Sequence, residues 1–320
     1  MHEHGDSKDI LGRAYEYCLS KFAEAEGKLA GEFYTPACIV KTLVNVLQPY
    51  KGRVYDPCCG SGGMFVQSAQ FIESHSGNIN NISVYGQDSN PTTWKMAQMN
   101  LAIRGIEADL GRYNADTFFN DCHPTLKADF VMANPPFAGD IKENTIISHY
   151  ELGKNSAGKW QNKVGRDVLF IERNLNFLKP GGRMAIVLPQ GRFNNSSDKY
   201  IREFIAERCR ILAVVGLHGN VFKPHTGTKT SVLFVQKWDD ELCPKKEDYP
   251  IFFATMQKQS KDNSGDKIYV KDPVTGENVL DHHGHLIVDH DLYSHDGLTP
   301  DGIAEAFIEF AKKEGLSFFR

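Results

Sequence analysis

The sequence has no apolar run that approaches the ~20 residues of a bilayer-spanning helix, so no membrane span is expected. Its first residues, Met1-His2-Glu3-His4-Gly5-Asp6, combine no basic stretch with an apolar one, so no secretory signal is expected either. The seven cysteines include no Cys-x-x-Cys spacing. That odd, scattered set argues against a disulfide framework or a zinc site, and a reducing cytoplasm is the expected location. No Gly-Lys-Ser/Thr follows the one glycine-rich turn, which excludes a P-loop, and the missing GxGxxG disfavours a dinucleotide oxidoreductase. Positive charge is not in excess: 36 Lys and Arg stand against 40 Asp and Glu, a formal net charge of −4. Bulk charge therefore cannot hold nucleic acid, and any basic surface must be local or supplied by a partner.

What is present is an alternation of short apolar runs with amphipathic stretches. Residues 8–30 read as a helix, with Leu11, Ala14, Tyr15, Cys18, Leu19 and Phe22 at spacings of three and four. Residues 31–36 break it, and Pro36 suits the first turn of a helix through Leu47. Strands are expected at 53–56, 83–88, 107–114, 129–133, 184–188, 211–217 and 230–235. Helices are expected at 63–73, 91–104, 167–178 and 197–207, with a turn at 179–182. This order predicts an α/β, Rossmann-like, seven-stranded mixed sheet, with helices on both faces. The last two strands have no helix between them, which predicts one antiparallel partner. After Trp238, residues 239–290 are polar and turn-rich, as in a hairpin, and 299–313 repeat as a helix. The expected division is an N-terminal helical segment 1–30, a catalytic domain 31–238 and an extension 239–320.

Ligands of such sheets bind beyond the carboxyl ends of the strands, and four segments lie there. Asn134-Pro135-Pro136-Phe137 follows an apolar strand. The Asn amide oxygen and a proline carbonyl can each accept a hydrogen from a planar amine. The prolines stiffen the turn, and the Phe ring can stack on the planar group. Asp56-Pro57-Cys58-Cys59-Gly60-Ser61-Gly62-Gly63 joins the first strand to its helix. Its glycines allow close backbone approach, while its acid would repel phosphate and suit an ammonium or hydroxyl group. Asp88 ends the second strand, where a carboxylate can bind both hydroxyls of a ribose. Asp116 follows the third, where it could accept from an adenine amine.

Together with Gly31–Pro36 and Tyr85-Gly86-Gln87-Asp88, these segments resemble the amino-methylating DNA methyltransferases that use S-adenosylmethionine. More narrowly they resemble the modification subunit of type I restriction-modification systems, an adenine-N6 methyltransferase. Leu188-Pro189-Gln190-Gly191, Asn220-Val221-Phe222 and Thr226-Gly227-Thr228-Lys229-Thr230 extend the resemblance, which runs from about residue 8 to 238. It implies the class I S-adenosylmethionine-dependent methyltransferase fold. It also implies that Glu32, Phe33, Tyr34, Thr35 and Pro36 border the methionine half of S-adenosylmethionine. Asp56, Gly60, Ser61 and Gly62 would face its amino and carboxylate groups, Asp88 its ribose hydroxyls and Asp116 its adenine amine. Asn134, Pro135, Pro136 and Phe137 would hold the target adenine, with Asn134 also against the cofactor. Two positions depart from the family pattern: Asp88, where Glu is common, and Ala138, where Gly often follows the aromatic. Implied partners are DNA, a specificity subunit, a second modification subunit and a restriction subunit. Family members carry further helical segments on both sides of the matched region, so a trimmed or short member is expected.

The weighed alternatives are a methyltransferase for protein glutamine or RNA guanine, which shares the Asn-Pro-Pro-Phe turn, and a non-catalytic assembly subunit. Residues 138–166 carry Lys142, Lys154, Lys159, Lys163 and Arg166 and are expected as a loop, solvated or ordering on DNA. Asp281-His282-His283-Gly284-His285 is expected as a polar hairpin tip rather than a metal site, since adjacent histidines rarely converge on one ion.

Overall fold

The structure is a computed structural model that describes residues 10–19, 21, 34–75, 77–300 and 302–318. Residues 10–19 and 21 are helical. The rest of the expected 8–30 helix lies outside the described residues, as do Gly31, Glu32 and Phe33. Helix α1 (Ala37–Leu47) starts after Pro36, which stands at its N-cap. Then follow β1 (Gly52–Asp56), α2 (Gly63–Ser74), β2 (Ile82–Gly86), α3 (Pro91–Ile103), β3 (Ala108–Asp109) and β4 (Ala128–Ala133). Asn90 caps α3, its side-chain oxygen accepting the Thr92 and Thr93 amides, with Pro91 in the first turn. Strand β3 is shorter than the seven-stranded reading anticipates, because Asp109 accepts the Gly111 amide and Gly111, at φ 80°, turns the chain.

The second half holds β5 (Asp140–Ile141), α4 (Asn144–Ile147), β6 (Val164–Gly165), α5 (Arg166–Phe177) and β7 (Leu178–Pro189). It continues through α6 (Gly191–Asn194), α7 (Lys199–Arg208), β8 (Cys209–Gly216), β9 (Thr230–Lys237), β10 (Phe252–Thr255) and α8 (Ile303–Lys313). The expected turn at 179–182 is a bulge inside β7: Leu178 pairs with Ala128 and Arg183 with Phe130.

Eight strands form one sheet in the order β10-β8-β9-β7-β4-β1-β2-β3. Strand β9 is antiparallel to β7 and β8, and the remaining pairings are parallel. The eighth strand, β10, comes from the segment expected to be only an extension. Its run is four residues long and alternates between half-buried and exposed, too brief for its periodicity to stand out. Alternate residues of each central strand feed two cores. Val54, Ala185 and Val187 pack with Ile39, Leu43, Phe65, Phe222 and Phe307 on one face. Tyr55, Met184, Ile186 and Leu188 pack with Leu169, Ile171 and Phe204 on the other.

Residues 138–166 hold short strands and a helical turn with buried side chains, where a solvated loop is one expectation. The antiparallel ribbon β5–β6 follows the Asn134–Phe137 turn, and Ile141, Ile147, Tyr150, Leu152 and Val164 are buried in the second core. The buried Glu172 carboxylate anchors the segment by accepting the Glu151 and Leu152 amides at 2.9 and 2.8 Å.

The chain order reverses beside β1. From β1 it steps outward through β2 and β3, then β4 returns to the other side of β1. The carboxyl ends of β1 and β4 are therefore neighbours, in the register Val54↔Phe130 and Tyr55↔Val131. This switch point is where a doubly wound sheet opens a crevice.

Candidate active site

Strand β1 delivers Asp56 into that crevice, 2% exposed. One carboxylate oxygen accepts the Cys58 amide at 3.0 Å, which starts the turn. Gly62 then sits in the left-handed region, at φ 82°, as the N-cap of α2, a conformation that favours glycine. The loop is tied to the end of β2 twice: the Cys59 amide donates to the Gln87 carbonyl, and the Gly60 amide to Asp88 Oδ2, both at 3.0 Å. Burial, with a smaller contribution from Asp88 nearby, pushes the Asp56 carboxyl up to about 8. A buried acid without a counter-charge among the described residues fits the ammonium end of an amino acid, which would restore its ionised form.

Asp88 and Asp116 already have partners. Asp88 holds the Gly60 amide on one oxygen and the Asn90 amide, at 2.9 Å, on the other. Asp116 accepts the Phe118 amide at 2.9 Å, and its second oxygen pairs with Arg166 at 2.7 Å. Both acids line the larger of two adjoining cavities, of about 220 Å³. The smaller one is lined by Tyr34, Thr35, Asp56, Gly60 and Ser61. Cys58 and Asn134 line both, so the two cavities meet at the end of β4.

Asn134 differs from the acids. Its amide nitrogen donates to Thr35 Oγ1 at 3.1 Å. Its amide oxygen is buried and, among the described residues, accepts nothing. A buried acceptor left unpaired costs about 1–3 kcal/mol, and an amine hydrogen entering the cavity would remove that penalty. Pro135, Pro136 and Phe137 line the same cavity. Phe137 meets Phe222 edge-on, ring centroids 5.7 Å apart at 79°.

The structure thus gathers Tyr34, Thr35, Asp56, Gly60, Ser61, Asp88, Asp116 and Asn134–Phe137 around the two cavities. Pro36 lines neither; it borders a third cavity, on the far side of Tyr34. Gly62 lines neither and acts as the helix cap. Arg166, Phe222, Thr226 and Thr228 also line the larger cavity. Arg166 lies 50 residues from Asp116, and no spacing in the sequence links the two. Asp281 in the histidine-rich tip accepts the His283 and His285 amides, so its carboxylate holds its own turn.

Comparison with known proteins places this geometry. A family profile of N-6 DNA methylases matches residues 6–282. The methylase subunit of the type I restriction enzyme HindI of Haemophilus influenzae is 43% identical over 231 residues, covering 71% of this chain and 50% of that protein. The chain spans about half the length of the curated relatives it matches. Among solved structures, the methyltransferase subunit of a type I restriction-modification system from Streptococcus thermophilus superposes with a TM-score of 0.65 at 22% identity. It covers 98% of this chain and 64% of that one. A protein of Listeria monocytogenes assigned to the class I S-adenosylmethionine-dependent methyltransferases gives 0.58 at 21% identity, covering 69% and 65%. The sheet is therefore that of the class I S-adenosylmethionine-dependent methyltransferases, and by sequence the chain belongs to the N-6 DNA methylase family.

Proposed function

We propose that this chain transfers a methyl group from S-adenosylmethionine to the N6 amine of an adenine in DNA. It would act as the modification subunit of a type I restriction-modification system, in the cytoplasm. One observation carries the reading: the Asn134 amide oxygen is buried without a partner among the described residues, at the switch point, beside an acid-lined cavity. Family membership supports the choice of amine.

S-adenosylmethionine, when bound, supplies an electrophilic methyl on a sulfonium. Asp56 would hold its amino group, with Gly60, Ser61 and Gly62 presenting the loop to its carboxylate. Tyr34, Thr35 and Pro36, with the preceding Glu32 and Phe33, would border its methionine half. Asp88 would take the ribose hydroxyls. Asp116 would take the adenine amine, which requires Arg166 to share or yield Oδ2.

The target amine is a poor nucleophile because its lone pair is delocalised into the ring. The Asn134 oxygen and the Pro135 carbonyl would accept its two hydrogens, favouring a pyramidal nitrogen with its lone pair free to attack. The proton leaves the nitrogen after methyl transfer, so no base is needed beforehand. Catalysis is positioning, with stabilisation of charge as it moves onto nitrogen. The base must first leave the duplex, since its amine is otherwise paired. Phe137 would stack on it, and Pro136 keeps the turn rigid. The catalytic residues would lie within 31–238, preceded by segment 1–30, while 239–320 adds β10 to the sheet and Phe307 to its core. Choice of DNA site would rest with a specificity subunit, in an assembly with a second modification subunit and a restriction subunit.

The test is the destination of a tritiated methyl. Incubation with duplex DNA and the cognate specificity protein, followed by digestion to nucleosides, is expected to place the label in N6-methyldeoxyadenosine. Label in a guanine or in protein glutamine would overturn the assignment.

A further inference from the structure

Tyr34 and Pro36 border a third cavity, of about 530 Å³, between α1 and the turns of residues 256–295. Among the described residues, four lysines line it, Lys21, Lys41, Lys261 and Lys267, against two acids, Asp266 and Asp281. Lys261 and Lys267 face each other across an isolated antiparallel bridge, with the Lys261 ammonium also donating to the Lys223 carbonyl at 2.7 Å. Like charges directly opposite on paired strands are destabilising, and an anion between them would reverse the sign of that term. Lys41 reaches the same space from α1, over the Tyr293 ring at 4.8 Å rather than against an acid. Asp281 is spent on its own turn. Ser260 lines the cavity as well; the residue is 2% exposed and its hydroxyl oxygen is buried with no partner among the described residues. Converging cations beside an unpaired buried hydroxyl match a phosphate, which accepts hydrogen bonds and carries negative charge.

Position identifies the source of that phosphate. His225 lines this cavity and also the one holding Asn134–Phe137, so the two share a wall. With a net charge of −4 over the whole chain, DNA must find its cations locally. We infer that this cavity is a phosphate subsite in which Lys41, Lys261, Lys267 and Ser260 hold the DNA backbone next to the flipped adenine. The inference rests on reading Asn134–Phe137 as the clamp for that base.

The test is fluorescence anisotropy of the full 320-residue chain with a short labelled duplex, titrated at ~50 to ~200 mM salt. The double variant Lys41→Ala, Lys267→Ala should flatten the slope of log K against log salt by roughly 1.8, about 0.9 for each cation removed. Its S-adenosylmethionine affinity by calorimetry should match wild type. The double Lys→Arg variant should keep the wild-type slope, which separates loss of charge from loss of fold. An unchanged slope in the alanine variant, or no salt-dependent binding by wild type, would overturn the inference. Calorimetry with inorganic phosphate supplies the other source. Phosphate binding lost in the variant with its DNA slope intact would make this a free-phosphate site and equally overturn the DNA assignment. The slope needs no methyl donor. Failure of wild type to bind S-adenosylmethionine would count against the catalytic reading alone.

Discussion

The acid-lined half of the crevice and the Asn134 half handle their polar groups in opposite ways. Asp88 and Asp116 are occupied before any ligand arrives, Asp88 by two backbone amides and Asp116 by an amide and Arg166. A ligand there uses remaining lone pairs or exchanges partners, so affinity comes from a pre-shaped surface. Asn134 is held by Thr35 on one side of its amide and left without a partner on the other. A ligand there relieves a penalty already present in the fold. The difference suits the two halves to different tasks: one keeps a reagent in place, and the other responds to the arrival of one specific hydrogen-bond donor.

Removing Asn134 should break the comparison most severely. Asn134→Ala is expected to lower kcat for methyl transfer by about 10³-fold, the upper range for losing one positioned hydrogen-bonding group. It deletes an unpaired acceptor and, in the opposite direction, the hydrogen bond to Thr35, so the two effects offset and denaturant midpoints should move little. Asp88→Ala comes next. It leaves the Gly60 and Asn90 amides without their acceptor, costing roughly 1–3 kcal/mol of stability. Calorimetry should show S-adenosylmethionine affinity down by about 10²-fold, near 2.7 kcal/mol.

The Asp56 carboxyl supplies a pH test of intermediate size. Its folded value, about 8, lies above the ordinary carboxylate range. In the ligand-free chain the stability of the neutral form is complete below about pH 4 and is lost as pH rises through about 8. Binding an ammonium group has the opposite dependence, because it requires the ionised acid. Affinity for S-adenosylmethionine should rise with pH toward about 8, by at most about tenfold per unit, and then stop rising as the ligand's α-amino group, with an ordinary pKa of roughly 8, loses its proton. Asp56→Asn should flatten that profile and weaken binding at high pH. The smallest effect belongs to Asp116→Asn. The amide oxygen can still accept from Phe118, and the partly exposed pair with Arg166 is worth up to about 1 kcal/mol. Cofactor affinity should fall less than tenfold, as read by calorimetry.

How far the sequence carries differs between these regions for a physical reason. Buried strands such as Ala128–Ala133 and Thr230–Lys237 each hold an unbroken apolar stretch, 130–133 and 232–235, which stands out from its surroundings. Strand β10 is half-exposed and short, so it reads as part of a polar extension although it completes the sheet. The order in residues 138–166 is hidden in the same way. Ile141, Ile147, Tyr150, Leu152 and Val164 are scattered among polar residues without period, and what orders them is Glu172, on a later helix. The candidate site divides along the same line. Asp56, Asp88 and Asn134 each end or follow a strand, so their convergence follows from the alternation of elements. The Asp116–Arg166 pair and the Phe137–Phe222 contact join distant segments, and only packing reveals them.

The separation of the two halves is best tested by a double-mutant cycle on Asn134→Ala and Asp88→Ala. The readouts are the S-adenosylmethionine dissociation constant and the single-turnover methyl transfer rate at saturating cofactor and DNA. If the two halves act independently, the double variant keeps the dissociation constant of Asp88→Ala and the turnover rate of Asn134→Ala, with coupling below ~0.5 kcal/mol in either quantity. Asn134→Ala weakening cofactor binding as much as Asp88→Ala does, with strong coupling between them, would contradict the account.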